Sequence, residues 1–463
     1  MRILTALCLI GSCLCVSASH AEEAAGDWGG VLAGTLRIVV HIKKVGAHGY
    51  SGILVSLDQG DSKIPLDMVT ASGDHLAFSA ASIMGSYKGH WDSTKRGWVG
   101  TWSQTQSLPL ELKRLDEAGI RALRSKRPQE DAIAKASKVF RSREVTFDSA
   151  HGSVRIAGTL SFPEGKGPFP ALVQISGSGP NTRDEEVASH KIFYVLADYL
   201  NRRGLAVLRY DKRGVGASKG TYAGATTEDF EEDAQAAVEF LKSDREIDPK
   251  NIGLLGHSEG GLIAPAVAVR DPSVSFVVLL SAPGIRGDKL ITEQIALITA
   301  AEGMPPAQVA REKEFFGKLY AAIVGASTRG EAEKIARTME AQGKEEKIPG
   351  TEDPDAAVKA ITDPWFLYFL KYDPAPMLRL VKVPVLALAG SLDLQVPPDT
   401  NLPAIREALK GNSGATVREL DGMNHLLQKA QTGSPIEYGR IEETVDPEVL
   451  GIIGDWILPH CHK

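Results

Sequence analysis

The sequence predicts an α/β protein: a mostly parallel sheet covered by helices on both faces, a helical cap inserted over it, and a β-rich domain ahead of it. Three observations carry this prediction. From about residue 143 short apolar runs alternate with helical patterns, the texture of a parallel sheet with crossover helices. Between Pro283 and Leu380 the strand pattern stops for a stretch rich in Ala, Glu and Lys that is too long for a bare loop. From Trp28 to about Leu115 the pattern is two-residue alternation punctuated by Gly, Asp and Ser, as in an antiparallel sheet or small barrel.

The elements follow in chain order. Met1-Arg2, an apolar stretch from Ile3 to Val16 and Ser19-His20-Ala21 fit a secretory signal over 1–21 cut after Ala21, so the mature protein is expected in the periplasm or outside the cell. That stretch is shorter than the roughly 20 residues of a membrane span, so no span is expected. A lipoprotein box ending at Cys13 is the alternative. Cys8, Cys13 and Cys15 lie in this leader, which leaves Cys461 alone and makes core burial, not a disulfide, the source of stability. His460-Cys461-His462 has metal-binding residue types but sits at the chain end and reads as a frayed tail, with no metal.

The 463 residues suggest two or three domains, and a net charge of −6 with Lys and Arg spread throughout argues against a nucleic-acid partner. Residues 22–115 form the β-rich domain, whose Trp28, Trp91, Trp98 and Trp102 are read as core and not as a stacking groove. The span 116–142 reads as a charged linker, its Arg121, Arg124, Lys126 and Arg127 a solvated face. Beyond it, strands are expected at Val154–Leu160, Pro170–Ile175, Ala206–Tyr210, Phe276–Leu280, Val383–Ala389 and Thr416–Leu420. Helices are expected over His190–Asn201 and from a capping box at Thr226 and Asp229, with Phe230, Ala234, Ala237, Val238 and Leu241 on one face.

The chemistry starts at Gly256-His257-Ser258-Glu259-Gly260, which follows the apolar run Ile252–Leu255 and precedes a helical stretch. A G-x-S-x-G turn between strand and helix lifts its serine above the sheet edge, and glycines at both ends permit the turn. Ser258 is therefore the candidate nucleophile. A serine hydroxyl needs a base, and the base needs a group that fixes its tautomer and offsets its developing charge. Asp393, in the turn after the strand ending at Ala389, and His425, in the loop after the strand ending at Leu420, supply them. The order Ser258, Asp393, His425 is that of the α/β-hydrolase fold. Asp421 is the alternative acid, but it shares the loop of His425. His257 is read as a packing residue. Negative charge on the substrate carbonyl calls for an oxyanion hole, each lost donor costing on the order of 3 kcal/mol. The backbone N–H groups of Glu259 and of Ser178, with Gly177 next, are the candidates. The Ile175–Asn181 loop lacks the lysine of a phosphate-binding loop.

Together, Ser176–Asp184, Arg209–Ser218, Gly256–Gly261, Pro364–Phe369 and Gly390–Pro397 resemble the secreted bacterial α/β-hydrolases of the carboxylesterase family, the EstD-like esterases, from about residue 145 to the C-terminus. The resemblance implies an α/β-hydrolase catalytic domain over 143–463 with its cap at about 285–380. It also implies a small-molecule ester substrate of short-to-medium acyl length, an acyl-serine intermediate and no cofactor. Asp211 and Arg213 are read as a structural salt bridge. Competing readings are a serine peptidase or aminopeptidase with Glu259 holding a substrate ammonium, a thioesterase, and, from another class, a ligand- or cell-wall-binding protein whose hydrolase domain is secondary. Glu259 facing the helix N-terminus is the reading preferred over ammonium binding. Acyl length, oligomeric state and cap motion leave no trace in the sequence.

Overall fold

The computed structural model describes residues 24–461 apart from 33–35, 47–48, 59–61, 105–106, 137–139 and 150–151. The signal peptide read at 1–21, with Cys8, Cys13 and Cys15, and His462 lie outside the described residues. The chain forms two compact units that part between Arg124 and Ser125.

The first unit is one antiparallel sheet. Its strands are Gly26–Leu32 (β1), Leu36–Val45 (β2), Gly49–Ser56 (β3), Ser62–Leu66 (β4), Met68–Ser72 (β5), His75–Ala80 (β6), Gly85–Asp92 (β7), Gly97–Ser103 (β8) and Ser107–Leu115 (β9). They are ordered β4-β3-β2-β1-β9-β8-β7-β6-β5, so the two edge strands are joined by a single residue, Asp67, and the sheet curls until its edges converge there. Trp28, Trp98 and Trp102 are buried inside it, and Trp28, Trp91 and Trp98 pack edge to face with centroids 5.2–6.1 Å apart. The indoles are core, as expected, and Trp28 Nε1 donates to the Ala24 carbonyl at 2.8 Å.

The stretch read as a linker carries two helices, Glu117–Leu123 (α1) and Pro128–Ala136 (α2). Asp116 caps the first through the Gly119 N–H, and Pro128 starts the second at the position where its missing N–H costs nothing. Arg127 is no solvated face residue: its guanidinium donates to the carbonyls of Ala188, Ser189, Gly439 and Ile441.

The second unit holds an eight-stranded sheet of Ser142–Ser149 (β10), Val154–Ser161 (β11), Phe169–Ile175 (β12), Ala206–Tyr210 (β15), Ile247–His257 (β16), Val274–Leu280 (β17), Val385–Gly390 (β18) and Ala415–Leu420 (β19). A small hairpin, Glu186–Val187 (β13) and His190–Lys191 (β14), stands apart. The order is β10-β11-β15-β12-β16-β17-β18-β19, antiparallel only at β10/β11 and β11/β15. Alternate side chains feed two cores. Ala171, Val173 and Ile175 of β12 meet the helices Thr227–Ser243 (α4), Gly260–Arg270 (α5) and Pro398–Ala408 (α12), whereas Leu172 meets Ile192–Arg202 (α3) and Pro447–Ile457 (α13). The capping box at Thr226 and Asp229 forms, and the expected apolar face of α4 is buried. The cap runs through Gly287–Ala301 (α6), Pro306–Gly325 (α7), Arg329–Glu345 (α8), Pro354–Ile361 (α9), Pro364–Lys371 (α10) and Ala375–Leu380 (α11), with its own core around Phe315, Phe316 and Leu319.

Three expectations need correction: the helical linker with its engaged Arg127, the salt bridge and the frayed tail. Asp211 and Arg213 do not pair with each other: Asp211 takes Arg183 at 2.8 Å, and Arg213 takes Asp233 at 2.9 Å and Asp229 at 2.6 Å. Two residues apart, each carboxylate or guanidinium finds its partner on a different element, because tertiary packing and not sequence proximity decides where the charge is met. The C-terminal residues do not fray as far as Cys461. His460 stacks on Trp456 with centroids 4.2 Å apart, and Cys461 is buried among α3 and α13, which pushes its thiol up to about 12. Among the described residues no group of His, Cys, Asp and Glu is arranged to hold a metal ion, and no helix is long and apolar enough to cross a membrane.

Candidate active site

Every candidate residue lies where a strand reaches its carboxyl end, the edge at which open α/β sheets bind ligands. Ser258 follows β16 at φ +52°, a left-handed conformation that lifts the side chain out of the strand direction. The strain therefore sits on the serine itself. The flanking glycines are required for clearance: a side chain on Gly256 would collide with the Gly260 carbonyl, and one on Gly260 with the carbonyl of Ile175 on β12.

The carboxylate of Asp393, after β18, receives His425 Nδ1 at 2.9 and 3.0 Å, and Oδ1 also takes the N–H groups of Gln395 at 3.0 Å and Val396 at 2.8 Å. Asp393 and His425 are both buried. Asp421 is exposed and, among the described residues, reaches only Ser391 Oγ, so the acid beside the histidine is Asp393. With Nδ1 turned to the carboxylate, Nε2 is left for the cleft. Ser258 and His425 line that cleft together, although no hydrogen bond joins them among the described residues; such contacts are often long before substrate binds. The cleft encloses about 250 Å³, and its far wall is apolar, with Leu290 and Ile291 from α6, Trp365 and Phe369 from α10, and Val396 and Leu426.

Ser178 is exposed in the cleft, and its N–H and that of Glu259 donate to no protein acceptor among the described residues. The Gly177 N–H is instead taken by Glu185 Oε1 at 2.5 Å. This separates the two loop candidates in favour of Ser178.

The Glu259 side chain departs from expectation. It does not act on the helix N-terminus but points inward, fully buried. Oε2 accepts from Lys212 Nζ at 3.0 Å, and Oε1 accepts from Thr227 Oγ1 at 2.8 Å and Trp365 Nε1 at 2.6 Å. Lys212 Nζ also donates to the Gly177 carbonyl at 2.7 Å and lies over the Phe230 ring. One buried ion pair thus ties the serine turn, the Ile175–Asn181 loop, α4 and the cap. Sequence reasoning singles out neither Lys212 nor Glu185, and His257, read as packing, has both ring nitrogens engaged. The only sequence signals are the place of Lys212 inside the segment Arg209–Ser218 and that of Glu185 one residue past the segment Ser176–Asp184.

Several known proteins are similar to this chain. Esterase EstD of Thermotoga maritima is 27% identical over 320 residues, 69% of this chain and 68% of that protein. The uncharacterized peptidase YuxL of Bacillus subtilis is 31% identical over 172 residues, 35% of this chain and 23% of that protein. The solved Pyrococcus furiosus esterase Pf2001 aligns with a TM-score of 0.45 and 15% identity over 71% of this chain and 94% of that one. Residues 188–429 match the Hydrolase_4 family model, described as serine aminopeptidase, S33. That match takes in more than half of the sequence, from ahead of α3 through the cap to the loop of His425, and the chain belongs to this family of α/β-hydrolases.

Proposed function

We propose that the chain is a serine carboxylesterase hydrolysing short-to-medium acyl esters through an acyl-serine intermediate, with Ser258 as nucleophile, His425 as base and acid, and Asp393 as orienter. The observation that carries the reading is the Asp393–His425 pair opening onto the same cleft as Ser258. The Asp393 carboxylate holds the proton on Nδ1, so Nε2 takes the Ser258 proton as Oγ attacks the ester carbonyl. The N–H groups of Ser178 and Glu259 receive the oxyanion. Nε2–H then protonates the leaving alcohol, and a water deprotonated by the same nitrogen releases the acid.

The volume of the cleft supports the acyl range: about 250 Å³ with an apolar wall falls below the roughly 300–1,000 Å³ of pockets for drug-sized ligands. The likeness to Esterase EstD supports ester over amide. The aminopeptidase alternative, which the family description and YuxL keep in view, needs a carboxylate open to a substrate ammonium. Glu259 cannot serve, because Lys212, Thr227 and Trp365 occupy both of its oxygens. On this reading the mature protein acts outside the cytoplasm, because residues 1–21 have the make-up of a secretory leader.

The test is turnover of p-nitrophenyl acetate, butyrate and octanoate beside aminoacyl p-nitroanilides, by the protein and by Ser258→Ala. Ester turnover is expected to fall by on the order of 10⁶-fold in the alanine variant, with acetate and butyrate preferred over octanoate. Anilide turnover matching the esters would move the assignment to a peptidase, and ester turnover surviving in Ser258→Ala would remove Ser258 as nucleophile.

A further inference from the structure

Beside the Asp393–His425 pair lies a second histidine–carboxylate pair that the reaction as derived does not use. His257 Nδ1 meets Glu185 Oε1 at 3.0 Å, and Nε2 meets the backbone carbonyl of His425 at 3.0 Å. Both side chains are buried and both residues line the cleft. A carbonyl oxygen only accepts, so Nε2 carries a proton. Glu185 Oε1 already accepts the Gly177 N–H at 2.5 Å, so Nδ1 carries a proton as well. The ring is then an imidazolium and Glu185 its counter-ion.

We propose that Glu185 and His257 are positioning residues: an ion pair that fixes the oxyanion loop through the Gly177 N–H and the base loop through the His425 carbonyl, on either side of Ser258. What the pair positions rests on the esterase reading above. The backbone around the acid is unusual in the same direction. Glu185 is held at φ +46°, followed by Ala188 at +50° and Ser189 at +66°, a cluster of left-handed non-glycine residues. This strained turn delivers the Glu185 carboxylate to His257, 72 positions further along the chain. The His425 carbonyl receives one further hydrogen bond, from Ser281 Oγ at 3.0 Å, so His257 supplies its charged anchor.

Three titratable groups face the His257 ring among the described residues: Glu185 ahead of β13, Asp393 after β18 and His425 after β19, whose ring centroid is 4.9 Å away. Burial opposes the charge on His257, but the Glu185 carboxylate and its hydrogen bond, the His425 carbonyl and Asp393 outweigh it and hold the ring above its ordinary pKa. Glu185→Gln keeps the shape and removes the counter-charge. Burial then favours the neutral ring, which cannot donate from both nitrogens, and one of the two loops loses its anchor.

The experiment has two arms on the full chain. In the first, imidazole ¹H–¹⁵N spectra are followed from pH 5.5 to 9 in the unsubstituted protein and in Ser258→Ala. His257 is expected to titrate above the ordinary imidazole value of 6.5; a ring that titrates at or below that value overturns the pair. In the second, kcat and KM for p-nitrophenyl butyrate are measured over the same range for the unsubstituted protein and Glu185→Gln. The deficit in kcat is expected to widen with pH to on the order of 100-fold, with KM changed far less. A deficit that is constant across pH, or that sits in KM alone, overturns the positioning role. If Glu185→Gln does not fold, the first arm still decides, because it needs no change at Glu185. Turnover surviving in Ser258→Ala would instead sink the esterase reading, and the His257 spectra would still decide whether the ion pair exists.

Discussion

The carboxyl edge of the sheet and the cap above it both bury carboxylates, and one acid of the cap is treated in the opposite way to those of the edge. At the edge, Glu259 has Lys212, Thr227 and Trp365, Glu185 has His257 and the Gly177 N–H, and Asp393 has His425 and two backbone N–H groups. In the cap, Glu340 on α8 is fully buried and neither of its oxygens has a partner among the described residues. Burial first, and Glu352 second, push that carboxyl up to about 7. A buried acid keeps its charge only where fixed donors replace water, and elsewhere it gives the charge up. The edge holds these acids with fixed donors, whereas the cap, which pairs the buried Asp288 of α6 with Arg286, also contains in Glu340 an acid that neutralises.

The largest effect expected of this contrast comes from breaking a pair at the edge. Lys212→Met keeps most of the side-chain volume but leaves the Glu259 carboxylate buried without its counter-ion. Loss of one partner of such a pair costs about 3–5 kcal/mol. Urea denaturation at pH 7 checks this. A loss under about 1 kcal/mol would mean that Thr227 and Trp365 alone suffice for Glu259, and the edge would then differ from the cap in hydrogen bonding and not in charge.

In the cap the sign reverses. Glu340 has a folded-state pKa of about 7 against an ordinary value of 4.5, so its contribution to stability is fully present below about pH 4.5 and is lost as pH rises through 7. Glu340→Gln removes the titration. Stability is expected to rise relative to the parent by about 3 kcal/mol at pH 8 and to change little at pH 4.5, read by denaturation at the two pH values. An equal change at both would show that Glu340 finds a partner in solution, and the contrast between edge and cap would weaken.

The same contrast explains what is legible in the sequence. Ser258, Asp393 and His425 each lie within five residues of the end of a strand, so strand ends locate them and chain order sorts their candidate roles. Glu185 and Lys212 meet partners 72 and 47 positions away, a distance at which spacing carries no signal. Asp211 and Arg213 mislead for the complementary reason: they stand close enough in sequence to suggest a pair, yet Arg183 and Asp233 claim them from other elements. Glu340 sits in a helix dense with Lys and Glu, where its charge looks solvated until the packing of α8 against α7 and α9 is known. The strand β10, Ser142–Ser149, lies at a sheet edge, is mostly exposed and has only Val145 and Phe147 as apolar residues, too short an alternation to be read as a strand. Fold class and cap are visible because they depend on periodicity. The buried charges are not, because they depend on which loops meet.

The smallest effect tests whether the two regions are coupled. Trp365 belongs to the cap, lines the cleft and donates Nε1–H to Glu259 at 2.6 Å, so it is the point where the cap touches the ion pair of the edge. Trp365→Phe keeps an aromatic wall and removes the donor. Because Lys212 and Thr227 still serve the carboxylate, the cost should lie near the lower end for a bond to a charged group, about 1.5 kcal/mol. Glu259→Gln weakens the same contact from the other side. In a double-mutant cycle the cost of Trp365→Phe should therefore shrink when position 259 is already Gln, since both changes remove one interaction. Additive costs would mean that the indole acts through packing against Phe369 alone. The cap would then rest on the edge by apolar contact, and its acid–base behaviour would be independent of the pair beneath it.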